Sequence, residues 1–253
     1  MGNQWIGMGK SLMIIDKFAQ IIHKCAQVIQ QFKLDLHEIL LSDHPNSLYS
    51  IVNQYVAITS VQIALFQLLI DLDVEPDGII GHSFGEIACA YADGCLTLEQ
   101  TMLCSYWRGK VIEGGNIPSG MMAAVGLSWE SAIKRCPKNV FVACDNAPDS
   151  VSITGLPQDL KPFLQDLKPE NIFVREVGDG FNQKPYHTCY LNPIADILTT
   201  TLKKVILHPK ARSNKWYSTS VPVAKWNNEL AKYASAEYFV NNLIEPVLFA
   251  STI

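Results

Sequence analysis

DGIIGHSFGEIACAYADG, residues 77–94, places Ser83 between Gly81 and Gly85 where a short apolar strand candidate gives way to a helical pattern. At such a strand-to-helix turn the hydroxyl is lifted out of the sheet. Small flanking residues relieve the crowding, and the helix amino terminus offers a backbone N–H to an oxyanion. G-x-S-x-G has only three fixed positions, so a tight glycine turn with a serine cap is the competing reading.

Outward from this turn, residues 11–32 have helical apolar spacing after a possible Ser11 cap, and a longer pattern covers roughly 47–72. TLEQTMLCSYWRGKVIEGG reads as a further helix closing at paired glycines. The texture then changes. MMAAVG, NVFVAC, SVSITG and NIFVREV are strand candidates, with helices at SWESAIKR and QDLKPFLQDL, in the order βαββαβ. That order is ferredoxin-like. Beyond it, LNPIADILTTTLKKVI is helical, KWYSTS a strand, and SAEYFVNNLIEPVLF a helix ending near Pro246. The expected fold class is α/β: an α/β-hydrolase-like large subdomain over 1–120 and 185–253, incomplete at both ends, with an inserted ferredoxin-like small subdomain over 121–184.

The chain has 253 residues, of which 48% are hydrophobic and 17% charged, with a formal net charge of −4. These values fit a soluble globular protein and argue against a disordered chain or a basic nucleic-acid binder. The seven cysteines form no CxxC pair, and the amino terminus lacks a basic segment followed by an apolar core, so reduced thiols in the cytoplasm are expected. VAITSVQIALFQLLI is too short for an uninterrupted membrane span and carries Thr, Ser and Gln, so it reads as a buried helix. GNQWIGMGKS does not fit G-x-G-x-x-G, and no Walker loop, HExxH or zinc-like Cys/His spacing occurs, so no metal and no tightly bound cofactor is expected.

A serine hydroxyl needs a base to take its proton, and histidine is the usual one. Of six histidines, His82 adjoins the serine and should point elsewhere, while His23, His37 and His44 lie in amino-terminal segments. In the Ser-before-His order of elbow folds, His187 and His208 remain. His187 falls where the chain leaves the insert and is the better candidate, although a core or surface role is open to it. Arg108 has Cys104, Ser105, Val111 and Ile112 as its helical neighbours, so no carboxylate on its own helix can pair with it. Either it snorkels to solvent or, if buried, it needs an anion, and a guanidinium suits a carboxylate.

MGNQWIGMGKSLM, DGIIGHSFGEIACAYADGCL, YWRGKVI, MMAAVGLSWE, VSITG, KWYSTSVP and EYFVNNLIEPVLF together strongly resemble the malonyl/acetyl transferase domain of animal, insect-like, type I fatty acid synthases. The resemblance covers essentially the whole chain. It implies that Ser83 attacks malonyl-CoA or acetyl-CoA and that the acyl group passes to the phosphopantetheine thiol of an acyl carrier domain. His187 would serve as base and then acid. It further implies that the backbone carbonyl of Asn242 orients His187, that Gln4 and the N–H of Phe84 form the oxyanion hole, and that Arg108 holds the malonyl carboxylate. A neighbouring ketosynthase domain is an implied partner; nucleic acid and membrane are not.

Residue 84 is Phe where Leu is commoner in that family, Tyr186 stands where Phe usually precedes the histidine, and GFNQKPYHTCY diverges from the usual surroundings. The family's first core strand and its closing strand and helix are missing, so the chain reads as a fragment. A serine esterase or thioesterase and an inactive truncated domain are the alternatives.

Overall fold

The computed structural model describes residues 4–178 and 183–253. Residues 1–3 of the amino-terminal motif, and 179–182 at the start of the divergent stretch before His187, lie outside the described residues.

A 3₁₀ turn over Lys10–Ile14 precedes α1 (Asp16–Gln30), α2 (Leu36–Leu41) and α3 (Ile51–Asp71). Ser11 lies inside that turn and does not cap α1, which begins after Ile15. Asp35 caps α2 through the N–H groups of His37 and Glu38, and the Ser50 hydroxyl caps α3 by accepting from the Asn53 N–H at 2.9 Å. α3 is the one helix among the described residues long and apolar enough to cross a membrane. Here it packs against α1, and its Val56, Ala57 and Ile63 are fully buried.

β1 (Ile79–Ile80) runs through Gly81 and a 3₁₀ turn (Ser83–Gly85) into α4 (Glu86–Ala92). α5 (Leu98–Gly114) starts at a capping box in which Thr97 and Gln100 each accept from the other's backbone N–H, and it lies along α3.

β2 (Met121–Val125), α6 (Trp129–Arg135), β3 (Val140–Ala147), β4 (Ser150–Gly155), α7 (Pro157–Leu167) and β5 (Val174–Val177) follow in the order βαββαβ. The strands lie β5-β2-β4-β3, all antiparallel, which is the ferredoxin-like arrangement. Met121, Ala123 and Val125 on one face of β2 join the core under α6 and α7, while Met122 faces a second small core with Ala143, Cys144 and Val247. Burial on both faces explains why MMAAV is apolar throughout rather than alternating.

α8 (Asn192–Val205), β6 (Trp216–Tyr217), α9 (Glu229–Lys232), α10 (Ala236–Ile244) and β7 (Val247–Leu248) complete the described chain. β6 pairs with β1 in parallel, Trp216 opposite Ile79. The carboxy-terminal helix stops just before Pro246, as expected, but the apolar residues after it leave the helix and form β7. That strand pairs in parallel with β3, Val247 opposite Cys144, as a fifth strand of the small sheet. The final segment therefore spans both subdomains. α10 packs on the elbow turn and α8, and β7 on the small sheet.

Candidate active site

The turn after β1 is built by exclusion. A Cβ on Gly81 would lie 2.6 Å from Cys89 Sγ and 2.7 Å from the Glu86 nitrogen, so no side chain fits where α4 doubles back over the strand. The next bend falls on Ser83, whose φ of 53° is left-handed and unusual for a residue with a Cβ. Ser83 and Phe84 are the first residues of the 3₁₀ turn, whose first backbone bond is donated by Gly85 to His82 at 3.0 Å. The Phe84 N–H thus precedes the helical ladder, where a helix start offers donors to an anion.

Ser83 Oγ lies 2.7 Å from Nε2 of His187, and both residues are buried. His187 also has a left-handed backbone, φ 61°. Its N–H donates to Leu243 O at 3.3 Å and its Nδ1 lies 2.8 Å from Glu245 O. A carbonyl only accepts, so Nδ1 carries the ring proton and Nε2 is left to accept from Ser83. The carbonyl that fixes this tautomer belongs to Glu245, not to Asn242. The reason is position: Asn242 lies inside α10, whereas Glu245 is the cap residue beyond its last turn, where carbonyls have no helical partner. Among the described residues no carboxylate completes a triad. Burial depresses the His187 pKa from 6.5 to about 3, opposed by the Glu245 carbonyl and assisted by the nearby Arg108 charge.

Arg108 is 1% exposed, which excludes the solvent-reaching alternative. Its Nη1 donates to Asn242 Oδ1 at 2.5 Å, its Nε has no partner, and its guanidinium lies 5.5 Å from the Phe84 ring centroid. Phe84 in turn stacks on Tyr55 with centroids 3.9 Å apart, so the unusual residue at position 84 is wedged between Tyr55 and the arginine. Among the described residues no carboxylate forms an ion pair with Arg108. Burial lowers its pKa, opposed chiefly by the Tyr55 and Tyr186 hydroxyls and also by Glu86.

Glu86, not singled out by sequence reasoning, is completely buried one turn beyond the serine. It accepts from the Thr219 N–H at 2.6 Å, the Ser220 hydroxyl at 2.8 Å and the Tyr238 hydroxyl. Burial raises its pKa and these bonds oppose the rise, Tyr238 first. Its only sequence signal is a carboxylate on the elbow helix, which resembles an ordinary first-turn acid.

The remaining candidates lie apart. Gln4 is half-buried before the turns around Gly7, and among the described residues no hydrogen bond joins it to Ser83 or His187. His82 points away from the serine, its Nε2 2.8 Å from Asn146 Oδ1 on β3. His23, His44 and His208 are exposed and His37 half-buried. Beside His187, a groove of about 480 Å³ opens where the subdomains meet, lined by residues including Trp129, Phe141, Thr188 and Pro246. No group of three or more potential metal ligands occurs among the described residues.

The family model described as "Acyl transferase domain" matches residues 1–253. The reducing polyketide synthase DEP5 of Fusarium langsethiae is 34% identical over 267 residues, covering 100% of this chain and 11% of that protein. The squalestatin tetraketide synthase of a Phoma species is 35% identical over 201 residues, covering 77% of this chain and 8% of that protein. The chain thus spans about a tenth of the length of these curated relatives. Among solved structures, the acyltransferase domain of the polyketide synthase PpsC of Mycobacterium tuberculosis superposes with a TM-score of 0.86 at 23% identity, covering 98% of this chain and 74% of that one. The malonyl CoA-acyl carrier protein transacylase of Clostridium perfringens superposes with a TM-score of 0.78 at 21% identity, covering 98% of this chain and 77% of that one. With a two-subdomain α/β fold, a serine elbow and a family model that matches from end to end, the chain belongs to the acyl transferase domain family.

Proposed function

We propose that this chain transfers malonyl groups from malonyl-CoA to the phosphopantetheine thiol of an acyl carrier domain, through an ester on Ser83. The observation that carries this reading is Arg108: a buried guanidinium that, among the described residues, has an unpartnered Nε and no carboxylate of its own, beside a serine–histidine dyad. A buried cation of this kind lacks an anion, and the free carboxylate of malonyl supplies one.

His187 Nε2 takes the hydroxyl proton as Ser83 Oγ attacks the thioester carbonyl. The tetrahedral oxyanion forms next to the Phe84 N–H, with Gln4 as the expected second donor. Collapse breaks the C–S bond, and the CoA sulfur leaves with the proton held on Nε2. In the second half the pantetheine thiol gives its proton to the same nitrogen, its sulfur attacks the ester, and Ser83 oxygen recovers the proton as it leaves. With a resting pKa of about 3, the imidazole starts each half-reaction neutral.

The setting is a multidomain synthase with carrier and ketosynthase partners, acting in the cytoplasm. The motif resemblance favours animal fatty acid synthesis, whereas the matched curated relatives are fungal polyketide synthases. Malonyl supply is common to both. The test is mass spectrometry of the Ser83 peptide after exposure to malonyl-CoA or acetyl-CoA. Arg108→Ala should cut malonyl loading about a hundredfold and acetyl loading far less. Equal losses would remove the role given to Arg108, and steady release of free acid without transfer would instead indicate a hydrolase.

A further inference from the structure

Asn242 occupies a position that the serine–histidine chemistry alone does not require. It is 1% exposed, on the last turns of α10, and its amide is used at both ends. Nδ2 donates to the backbone carbonyl of Ser83 at 2.9 Å and to Ser220 Oγ at 2.8 Å, while Oδ1 accepts from Arg108 Nη1 at 2.5 Å. An amide could be turned either way, and turned the other way it would present N–H groups to the guanidinium and leave both without acceptors.

The Ser83 carbonyl and the Arg108 donor already oppose that turn, and Glu86 fixes the third contact in the same sense. A carboxylate only accepts, and its Oε2 takes the single Ser220 hydroxyl proton at 2.8 Å. Ser220 Oγ is thereby committed to accept from Asn242, which faces it with Nδ2 and is obliged to face Arg108 with Oδ1. The order Glu86, Ser220, Asn242, Arg108 has one internally consistent polarity. It ties the guanidinium to the same amide that holds the left-handed Ser83 backbone.

We propose that Asn242 is a positioning residue for substrate selection: oriented by Glu86 through Ser220, it sets the Arg108 guanidinium relative to the Ser83 nucleophile, so that a donor with a free carboxylate is aligned for attack. Glu86 favours the charged arginine from a distance and not by contact, and the Arg108 Nε, without a partner among the described residues, is the donor left for the substrate. This rests on the acyl transferase reading of the site.

Two readouts separate the proposal from that reading. The first is malonyl and acetyl loading per Ser83 that reacts with a fluorophosphonate probe, which counts intact nucleophiles whatever the acyl donor. Asn242→Asp places a resident anion on Arg108 and removes the Nδ2 donors; the malonyl-to-acetyl loading ratio should fall about tenfold or more. Ser220→Ala, which deletes the hydroxyl that links Glu86 to the amide, should lower the ratio about threefold and carries the test if the Asn242 variant does not fold. The second is protection of Ser83 from the probe by free malonate, with acetate as control. Malonate should protect the native chain and protect both variants less. If the native chain loads neither thioester but malonate protection follows this order, the transfer reading fails and the positioning role stands. A native malonyl-to-acetyl ratio in both variants, or malonate protection that is absent or equal in all three proteins, overturns it.

Discussion

Ser83 and His187 meet at 2.7 Å, and each reaches that contact from a left-handed backbone, φ 53° and 61°. Residues with a Cβ are disfavoured there by about 1 kcal/mol or more, so the dyad is held by its surroundings rather than by local preference. Substitution at position 83 should therefore invert the usual order. Ser83→Ala and Ser83→Gly both lose the hydroxyl, but only Gly relieves the backbone. Ser83→Gly should be the more stable of the two by about 1 kcal/mol in urea unfolding. Equal midpoints would mean that the bend at 83 carries no strain.

The two glycines of the elbow should behave oppositely. A Cβ at 81 would strike Cys89 Sγ at 2.6 Å and backbone atoms at 2.7 Å, whereas one at 85 meets nothing within 4 Å. Gly81→Ala should destabilise the chain by about 3 kcal/mol and abolish labelling of Ser83 by a fluorophosphonate. Gly85→Ala should leave stability unchanged or raise it by up to about 1 kcal/mol. Comparable destabilisation by both would show that the second glycine is also sterically required.

His187 makes stability depend on pH. The folded imidazole has a pKa of about 3 and its unperturbed value is 6.5. Between these values the unfolded chain binds a proton that the folded chain does not, so this residue's contribution falls as pH falls below 6.5. The urea midpoint should drop between pH 7 and pH 5 more for the native chain than for His187→Gln, whose amide does not titrate. Parallel curves would place the His187 pKa near its ordinary value.

Glu86 accepts from the Thr219, Ser220 and Tyr238 hydroxyls and from the Thr219 N–H. A glutamine amide offers one acceptor oxygen and turns its N–H groups toward donors. Glu86→Gln should cost about 3 kcal/mol and lower Tm by about 5–10 °C. A shift below about 2 °C would mean that a neutral group satisfies those donors as well.

Long amphipathic helices were legible because apolar residues recur at 3.6-residue spacing over many turns, as in α1 and α8. The ferredoxin-like order was legible because its helices and strands alternate sharply. α2 and β7 were not: six residues and two residues are too few for a period to show, and Val247–Leu248 follow the helix end near Pro246 with no alternation to mark a strand. Ser83 and His187 followed from motif and chain order. Arg108 stood out because its own helix provides no partner. The Glu245 carbonyl left no trace in the sequence, since every residue has a carbonyl and only the helix end determines which one is free. Glu86 was equally hidden, because its partners Thr219, Ser220 and Tyr238 lie more than 130 residues away.

The small sheet borrows its fifth strand from the far end of the chain, immediately after the carbonyl that orients His187. During synthesis the four antiparallel strands β2 to β5 can pair before α10 is made, whereas the elbow waits for α10, which supplies Tyr238 to Glu86 and Asn242 to the Ser83 carbonyl. The base acquires its working tautomer only after Glu245 emerges and β7 docks beside β3. One segment, α10 with the residues just after it, thus completes both the nucleophile turn and the base that serves it.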